Sequence, residues 1–237
     1  MSTVYARIPD CDKTLMAEAG RYGVADLHEA LGLPIGRTRL LGPAMKPLNP
    51  GLKIVGQAVT AENFPGDNLF LYAALDLIQR GQVLVMTNGG GSEGAQWGEV
   101  ATTFAQVRGI AGVVVDGPIR DVDALRAVQF PIWSTSISAS HPEKRGPGSA
   151  NRPIVVAGVQ VHPGDVIVAD GDGAIAIPPE LLSAAVQGAR MRAERERVYK
   201  ERIRAGESIV DVVGLRQTLD APPITRRETS WREDAVR

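Results

Sequence analysis

Sulfur and imidazole are scarce in this chain, with one cysteine, Cys11, and three histidines among 237 residues. A lone cysteine excludes an internal disulfide and a thiolate-built metal centre. Aromatic residues make up only 5%, and charges of opposite sign nearly cancel to a formal net −1. No overall basic field of the kind that attracts nucleic acid is present, so a small anionic ligand would have to be met by a local pocket. No apolar run approaches membrane length, and no basic segment followed by an apolar one opens the chain. A soluble, cytoplasmic protein that binds neither membrane nor nucleic acid is the expectation. The 44% hydrophobic content supports one sizeable core, read as a domain over residues 1–205 with a C-terminal arm over 206–237.

What the chain does have is concentrated between Gly98 and Asp123. Val100, Phe104 and Val107 recur at helical spacing between Gly98 and Gly109, which predicts one short amphipathic helix. Gly112 to Asp116 is a β-branched apolar run suited to a buried parallel strand, and Gln82 to Met86 is a similar run ahead of the helix. A strand-helix-strand unit of this kind places the helix N-terminus and the turn after the second strand outside the carboxyl ends of the strands. Gly98-Glu99 and Ile119-Arg120-Asp121 should then face one pocket. There the free amides of Glu99, Val100 and Ala101 favour an anion, Arg120 can grip a planar carboxylate, and Asp121 is a hard oxygen ligand of the type that holds magnesium or manganese. Spacing alone leaves a second reading open, in which Arg120 and Asp121 only cap the next helix.

The remaining chain supplies the frame. Met16 to Leu31 is predicted as one helix in which His28 is packed or at the surface, and Gly36 to Pro50 as a loop. Lys53 to Ala61 is predicted as a strand, followed by a turn at Pro65-Gly66-Asp67-Asn68 and a helix from Leu69 to Gln79 with Asn68 as its cap. Gly89, Gly91 and Gly94 satisfy a G-x-G-x-x-G pattern with Asp116 placed like a ribose-binding acid, yet the helical pattern begins only at Gly98, so a flexible loop is preferred. Asp121 to Val128 is expected to be helix and Phe130 to Ser134 strand, with the Ser-, Pro- and Gly-rich stretch from Ser136 to Pro153 a lid or an oligomer contact. Ile154 to Ile177 reads as an antiparallel meander whose Asp165, Asp170 and Asp172 sit in tight turns. The helix from Glu180 to Arg204 is charged almost all round after Arg190, a pattern expected to run along a neighbouring subunit. The tail after Leu219 is expected to be a loose arm.

Four pieces taken in order carry a resemblance. They are Pro65-Gly66-Asp67-Asn68; Glu99 followed by Arg120-Asp121; Phe130-Pro131-Ile132-Trp133-Ser134; and Pro163-Gly164-Asp165 through Ala169-Asp170-Gly171-Asp172-Gly173. Together they resemble the class II, metal-dependent 4-hydroxy-4-methyl-2-oxoglutarate and 4-carboxy-4-hydroxy-2-oxoadipate aldolases, which share a fold with the regulators of ribonuclease activity A. The resemblance implies an α/β chain with a central βαβ layered fold of the swivelling β/β/α type and a C-terminal helical extension. It implies that Gly98, Glu99, Val100, Ala101 and Arg120 hold the pyruvyl part of a substrate, that Asn68 lines the pocket, and that Asp121 binds Mg2+ or Mn2+. It also implies a homotrimer or hexamer with sites between subunits, to which Glu194, Glu196 or Glu201 could contribute. Aldolases of the family carry Asp where this chain has Glu99.

The expected activity is retro-aldol cleavage of a 4-hydroxy-2-oxo acid to pyruvate and a second oxo acid, with oxaloacetate decarboxylation passing through the same enolate. None of Lys13, Lys46, Lys53, Lys144 and Lys200 lies in an apolar strand that would suit it to Schiff-base chemistry, which favours a metal. In that scheme Arg120 neutralises enolate charge and Glu99 orients the water that acts as general base. A non-catalytic partner-binding regulator of the same fold is the alternative, although regulators of that kind lack the acid at position 121. A nicotinamide-dependent dehydrogenase ranks third.

Overall fold

The computed structural model describes residues 1–234. In chain order its elements are β1 (Thr3–Val4), α1 (Lys13–Ala19), α2 (Val24–Ala30), β2 (Lys46–Pro47), β3 (Ile54–Asn63), α3 (Leu69–Leu77), β4 (Val83–Thr87), α4 (Glu99–Arg108) and β5 (Gly112–Ile119). They continue as α5 (Val122–Ala127), β6 (Ile132–Ile137), β7 (Gly148–Ala150), β8 (Ile154–Val156), β9 (Val159–Val161), β10 (Val166–Ala169), β11 (Ala174–Ile177), α6 (Pro179–Arg204), α7 (Ile209–Val212), α8 (Arg216–Asp220) and α9 (Trp231–Asp234). Two compact units are present, Met1–Arg190 and the chain from Met191 onward. No helix among the described residues is long and apolar enough to cross a membrane.

The first unit is α/β and layered, as the resemblance implied. β3, β4, β5 and β6 run parallel in adjacent positions, with β7 antiparallel on β3 and β2 antiparallel on β6. Because side chains alternate along a strand, β4 sends Leu84 and Met86 to one face and Val83 and Val85 to the other. The first pair packs with Leu71, Ala74 and Leu75 of α3 and with Ala101 and Ala105 of α4. The second pair packs with Val156, Val161 and Ile167. A third apolar cluster joins α1 and α2 to Val166, Val168, Ile175 and Ile177 and to Leu182, Ala185, Val186 and Ala189 of α6. A sheet covered on both faces has no polar side, which is why its strands read as unbroken apolar runs.

Several local expectations need correction. The helix predicted over Met16 to Leu31 is two helices, because Gly20 lies where a Cβ would come 2.7 Å from Val55 Cγ1 and the chain must turn there to pass β3. Ile154 to Ile177 is not one meander. β8 and β9 form their own hairpin, while β10 pairs with β11 and with the first half of β3, so the chain changes partners at the Pro163-Gly164 turn. The loop between Gly36 and Pro50 contains the short strand β2, and the stretch from Ser136 to Pro153 contains β7. Asp165 and Asp170 act as turn formers: Asp165 accepts from the His162 amide, and Asp170 accepts from the amides of Val24 and Asp172.

The second unit is built on the charged end of α6. Arg197 pairs with Glu194 and Glu201, and Glu196 with Arg192 and Lys200, so all three candidate acids are engaged at helical spacing. Residues 235–237 of the arm lie outside the described residues.

Candidate active site

The parallel strands end on one side of the sheet, and two chain segments are tied together there. After Gly94 the chain does not enter a helix but runs alongside the end of β5: the Gln96 amide donates to the Pro118 carbonyl at 2.7 Å and the Arg120 amide to the Trp97 carbonyl at 3.0 Å. Trp97 is buried against Phe130, and its indole N–H donates to Thr102 Oγ1 at 2.7 Å, anchoring the start of α4. A register shift in β5 between Val115 and Pro118 redirects the strand end toward this segment. Gly117 at the shift has φ 151°, and a Cβ there would lie 2.7 Å from Asn88 Oδ1, so no other residue fits without displacement.

Gly98 and Glu99 consequently face Arg120 and Asp121. The Glu99 amide donates to Asp121 Oδ2 at 3.1 Å, and Arg120 Nε lies 3.6 Å from the same oxygen. Gly98 is in extended backbone, and a Cβ on it would come 2.6 Å from Asp121 Oδ2. Asp121 itself has φ 59° and ψ 32°, a left-handed conformation that costs a non-glycine residue on the order of 1 kcal/mol. Its carboxylate makes no hydrogen bond to α5, so the capping reading of this residue does not describe the geometry. The strain aims the carboxylate across the cleft to α4.

Gly98, Glu99, Val100, Ala101, Arg120, Asp121 and Asn68 all line one cleft of about 50 Å³, together with Tyr72, Trp97, Pro142 and Lys144. Arg120 and Asp121 also border a wider, more apolar depression formed with Val122, Ile137 and Ala139. Asn68 stands at the N-cap position of α3, as expected, but its side chain does not cap the helix. Asp67 does so, accepting from the Leu69 amide at 2.8 Å, which leaves the Asn68 side chain free to point elsewhere. Its Oδ1 is buried without a hydrogen-bond partner. A buried acceptor left unpaired costs stability, and this one, unlike those of His28, Asn88 and Asn151, belongs to a residue that lines the cleft.

Sequence reasoning passed over three residues that assemble this cleft. Gln96 is fully buried and holds three segments, accepting from Asn63 Nδ2 and donating to the carbonyls of Asp67 and Gly94. Asp67, quoted only as part of a turn, also accepts from the amides of Arg145 and Gly146 at 2.7 Å each. Burial pushes its carboxyl up, but the three amides and the nearby Lys144 charge outweigh that and hold it below the usual carboxylate range. Lys144 reaches the cleft from the stretch expected to be a lid. A free amide-rich helix start can be inferred from sequence, but which distant loop closes over it cannot.

Other sequence candidates sit elsewhere. Asp116 accepts from the Ala157 amide at 2.7 Å and lies near the hydroxyls of Thr87 and Thr135, so it is committed to structure rather than open to a ribose. His28 Nδ1 is buried without a partner beside Gly36. Burial lowers the Lys53 ammonium, which the strand pattern did not anticipate, but its Nζ donates to the Tyr22 carbonyl and does not line the cleft. No group of three His, Cys, Asp or Glu side chains able to hold a metal occurs among the described residues. Asp121, with Glu99 close by, fits a hard cation that keeps most of its shell as water and substrate oxygen, which needs only one or two protein carboxylates.

Comparison with known proteins identifies the family of the chain. The RraA-like family profile, described as Aldolase/RraA, matches residues 24–176. The chain belongs to the RraA-like family. Among relatives of this RraA-like protein, a Halalkalibacterium halodurans protein provisionally named 4-hydroxy-4-methyl-2-oxoglutarate aldolase is 36% identical over 169 residues, covering 70% of this chain and 80% of its own. A Burkholderia multivorans protein with the same provisional name is 34% identical over 152 residues, covering 64% and 92%. Similar solved structures include an uncharacterized protein of Pseudomonas syringae, at 28% identity and TM-score 0.76 over 86% of this chain and 98% of that one. Another is Streptomyces coelicolor RraAS2, described as an unusual member of the RNase ES inhibitor RraA family, at 29% identity and TM-score 0.74 over 82% and 99%.

Proposed function

We propose that this RraA-like protein is a metal-dependent pyruvate aldolase that cleaves a 4-hydroxy-2-oxo acid. The observation that carries the reading is the convergence of the α4 N-terminus, Arg120 and the strained Asp121 on one cleft with the unpartnered Asn68 Oδ1. The amides of Val100 and Ala101 bind the C1 carboxylate, aided by the helix dipole, while the Glu99 amide, expected to be free, is held by Asp121. Arg120 places its guanidinium where negative charge develops on the C2 oxygen as the C3–C4 bond breaks. Glu99 receives the C4 hydroxyl proton through a water, C4 becomes a carbonyl, and the bonding pair passes to C3 as the enolate of pyruvate, which is then protonated. Asp121 would hold Mg2+ or Mn2+, which supplies Lewis-acid stabilisation of that enolate. Loss of carbon dioxide from oxaloacetate yields the same enolate, and decarboxylation belongs to the same proposal.

The protomer is proposed to assemble into a closed homo-oligomer, a trimer or a dimer of trimers. Supporting this, Val100 and Val107 on α4 are 80% and 79% exposed. Glu194, Glu196 and Glu201 are held by surface pairs worth under about 1 kcal/mol each, weak enough to be exchanged for a site on another subunit. A non-catalytic regulator is the second reading, since the same outward apolar stripe also suits a different protein partner.

The deciding experiment is incubation of the purified protein with magnesium and a panel of 4-hydroxy-2-oxo acids plus oxaloacetate, with pyruvate release measured before and after EDTA. Pyruvate release abolished by chelation and restored by magnesium is expected. Absence of turnover on the whole panel would favour the regulator, and turnover indifferent to EDTA would remove the metal.

A further inference from the structure

A second cavity, of about 420 Å³, lies beside Gly81 and Gln82 where the chain enters β4, at the opposite end of that strand from the cleft. The two share no lining residue. Small-molecule sites usually measure roughly 300–1,000 Å³, so the space suits a ligand of that kind.

Three cations from three separate segments line it: Arg7 ahead of α1, Lys13 at the start of α1, and Arg80 between α3 and β4. All three are exposed, and none makes an ion pair or a side-chain hydrogen bond among the described residues. Asp10 is the one acid in the lining. The surplus of positive charge matches a phosphate monoester, which is close to doubly charged at neutral pH, and the planar forks of Arg7 and Arg80 suit phosphate oxygens.

The rest of the lining narrows the ligand further. Val59 is buried, and Ile8 and Leu77 pack against the core cluster behind it, so part of the floor is apolar and calls for an apolar face on the ligand. Two acceptors in the lining stand unused among the described residues. Asp10 is exposed and unpaired, and Asn151, only 6% exposed, donates from Nδ2 to the Tyr5 carbonyl at 2.8 Å while its Oδ1 has no partner. Gln57, by contrast, is committed to the carbonyls of Pro9 and Gly164. Acceptors without partners favour a ligand that brings donors.

We propose that this cavity is a binding site for a nucleoside monophosphate. Its phosphate meets Arg7, Lys13 and Arg80, its ribose hydroxyls donate to Asp10, and its base lies on the apolar floor beside Asn151. The site stands apart from the aldolase reading and does not depend on it.

Calorimetry on the full chain, with AMP, 2′-deoxy-AMP, ribose 5-phosphate and inorganic phosphate as probes, tests the assignment. Wild type should bind AMP about tenfold or more tightly than ribose 5-phosphate or inorganic phosphate, because only AMP brings the base. Arg7→Gln and Lys13→Gln, both at exposed positions, should each weaken AMP by about tenfold, as expected for loss of a charge-assisted hydrogen bond, while Arg120→Gln at the cleft leaves AMP binding unchanged. AMP should be preferred over 2′-deoxy-AMP by about fivefold in wild type and not at all in Asp10→Ala. No binding of AMP, affinity for AMP no greater than for the two smaller phosphates, or AMP binding unmoved by Arg7→Gln and Lys13→Gln would each overturn the proposal. Loss of AMP binding in Arg120→Gln would overturn it as well, by placing the nucleotide in the cleft.

Discussion

The Asp121 carboxylate accepts a hydrogen bond from the Glu99 amide at 3.1 Å, joining the turn after β5 to the start of α4 across 22 positions of sequence. Backbone and side chain cooperate in this contact. A left-handed φ at Asp121 turns the carboxylate toward the helix, and the missing side chain at Gly98 leaves room for it.

Gly98→Ala should therefore impair function far more than folding. The position is extended, so alanine meets no backbone penalty, but its Cβ would displace an oxygen only 2.6 Å away. Misplacing a reacting group by about 1 Å can cost on the order of a hundredfold in rate. We expect pyruvate release to drop by tenfold or more, roughly 1.4 kcal/mol, with thermal unfolding nearly unchanged. A large fall in Tm with normal turnover would show that the glycine serves folding instead.

Arg120→Lys should nearly abolish turnover in a folded protein. A guanidinium presents a planar fork to carboxylate or enolate oxygens, which an ammonium cannot reproduce. Removing a donor aimed at developing charge costs about 3 kcal/mol or more, roughly a hundredfold. The Arg120–Asp121 pair is more than a third exposed, so its loss as a mere ion pair would cost under about 1 kcal/mol of stability and leave the rate alone. Kinetics of the variant beside an Asp121→Ala control separate the two outcomes.

Asp67→Asn tests whether the loop carrying Lys144 is held by charge. Replacing a carboxylate that accepts three amide hydrogen bonds should cost roughly 2 kcal/mol, seen as a lower Tm and faster amide exchange at Arg145 and Gly146. The Asp67 carboxyl lies below its usual range, so its stabilising contribution is complete above the unfolded-state value of about 3.9 and is lost as pH falls through the lower folded-state value. Wild type should lose this increment on acidification below about pH 4, and the Asn variant should show a flatter profile there. Identical acid profiles would exclude the contribution.

The exposed face of α4 predicts the assembly. Val107→Glu, a change at a residue 79% exposed, should cost the protomer almost nothing if that face is solvated, and should dissociate a subunit contact built on it. Light scattering of wild type at micromolar concentration should give a trimer or hexamer, with the variant shifted to lower mass. Monomeric wild type would contradict the proposed assembly.

Val100, Phe104 and Val107 show where sequence reading stops. Their spacing correctly predicted a helix ending at Gly109, whose φ of 69° closes it. Which side of that amphipathic helix is buried is decided elsewhere, since the buried positions are Ala101, Thr102 and Ala105. Periodicity reports that a helix has two faces, but small residues pack against a flat sheet as well as large ones do, so hydrophobicity alone does not say which face turns inward.

The sequence by itself determined the strand-helix-strand frame, because apolar β-branched runs bounded by glycine have few other ways to be buried, and with it the meeting of Gly98 to Ala101 with Arg120 and Asp121. Only the tertiary structure decided that Asp121 turns to α4 rather than capping α5, that Asp67 takes over the helix cap and leaves Asn68 Oδ1 unpaired, and that Lys144 lines the cleft. Each depends on hydrogen bonds between segments far apart in the chain. The choice among competing donors and acceptors is made by distance in the folded molecule, which local propensity does not encode.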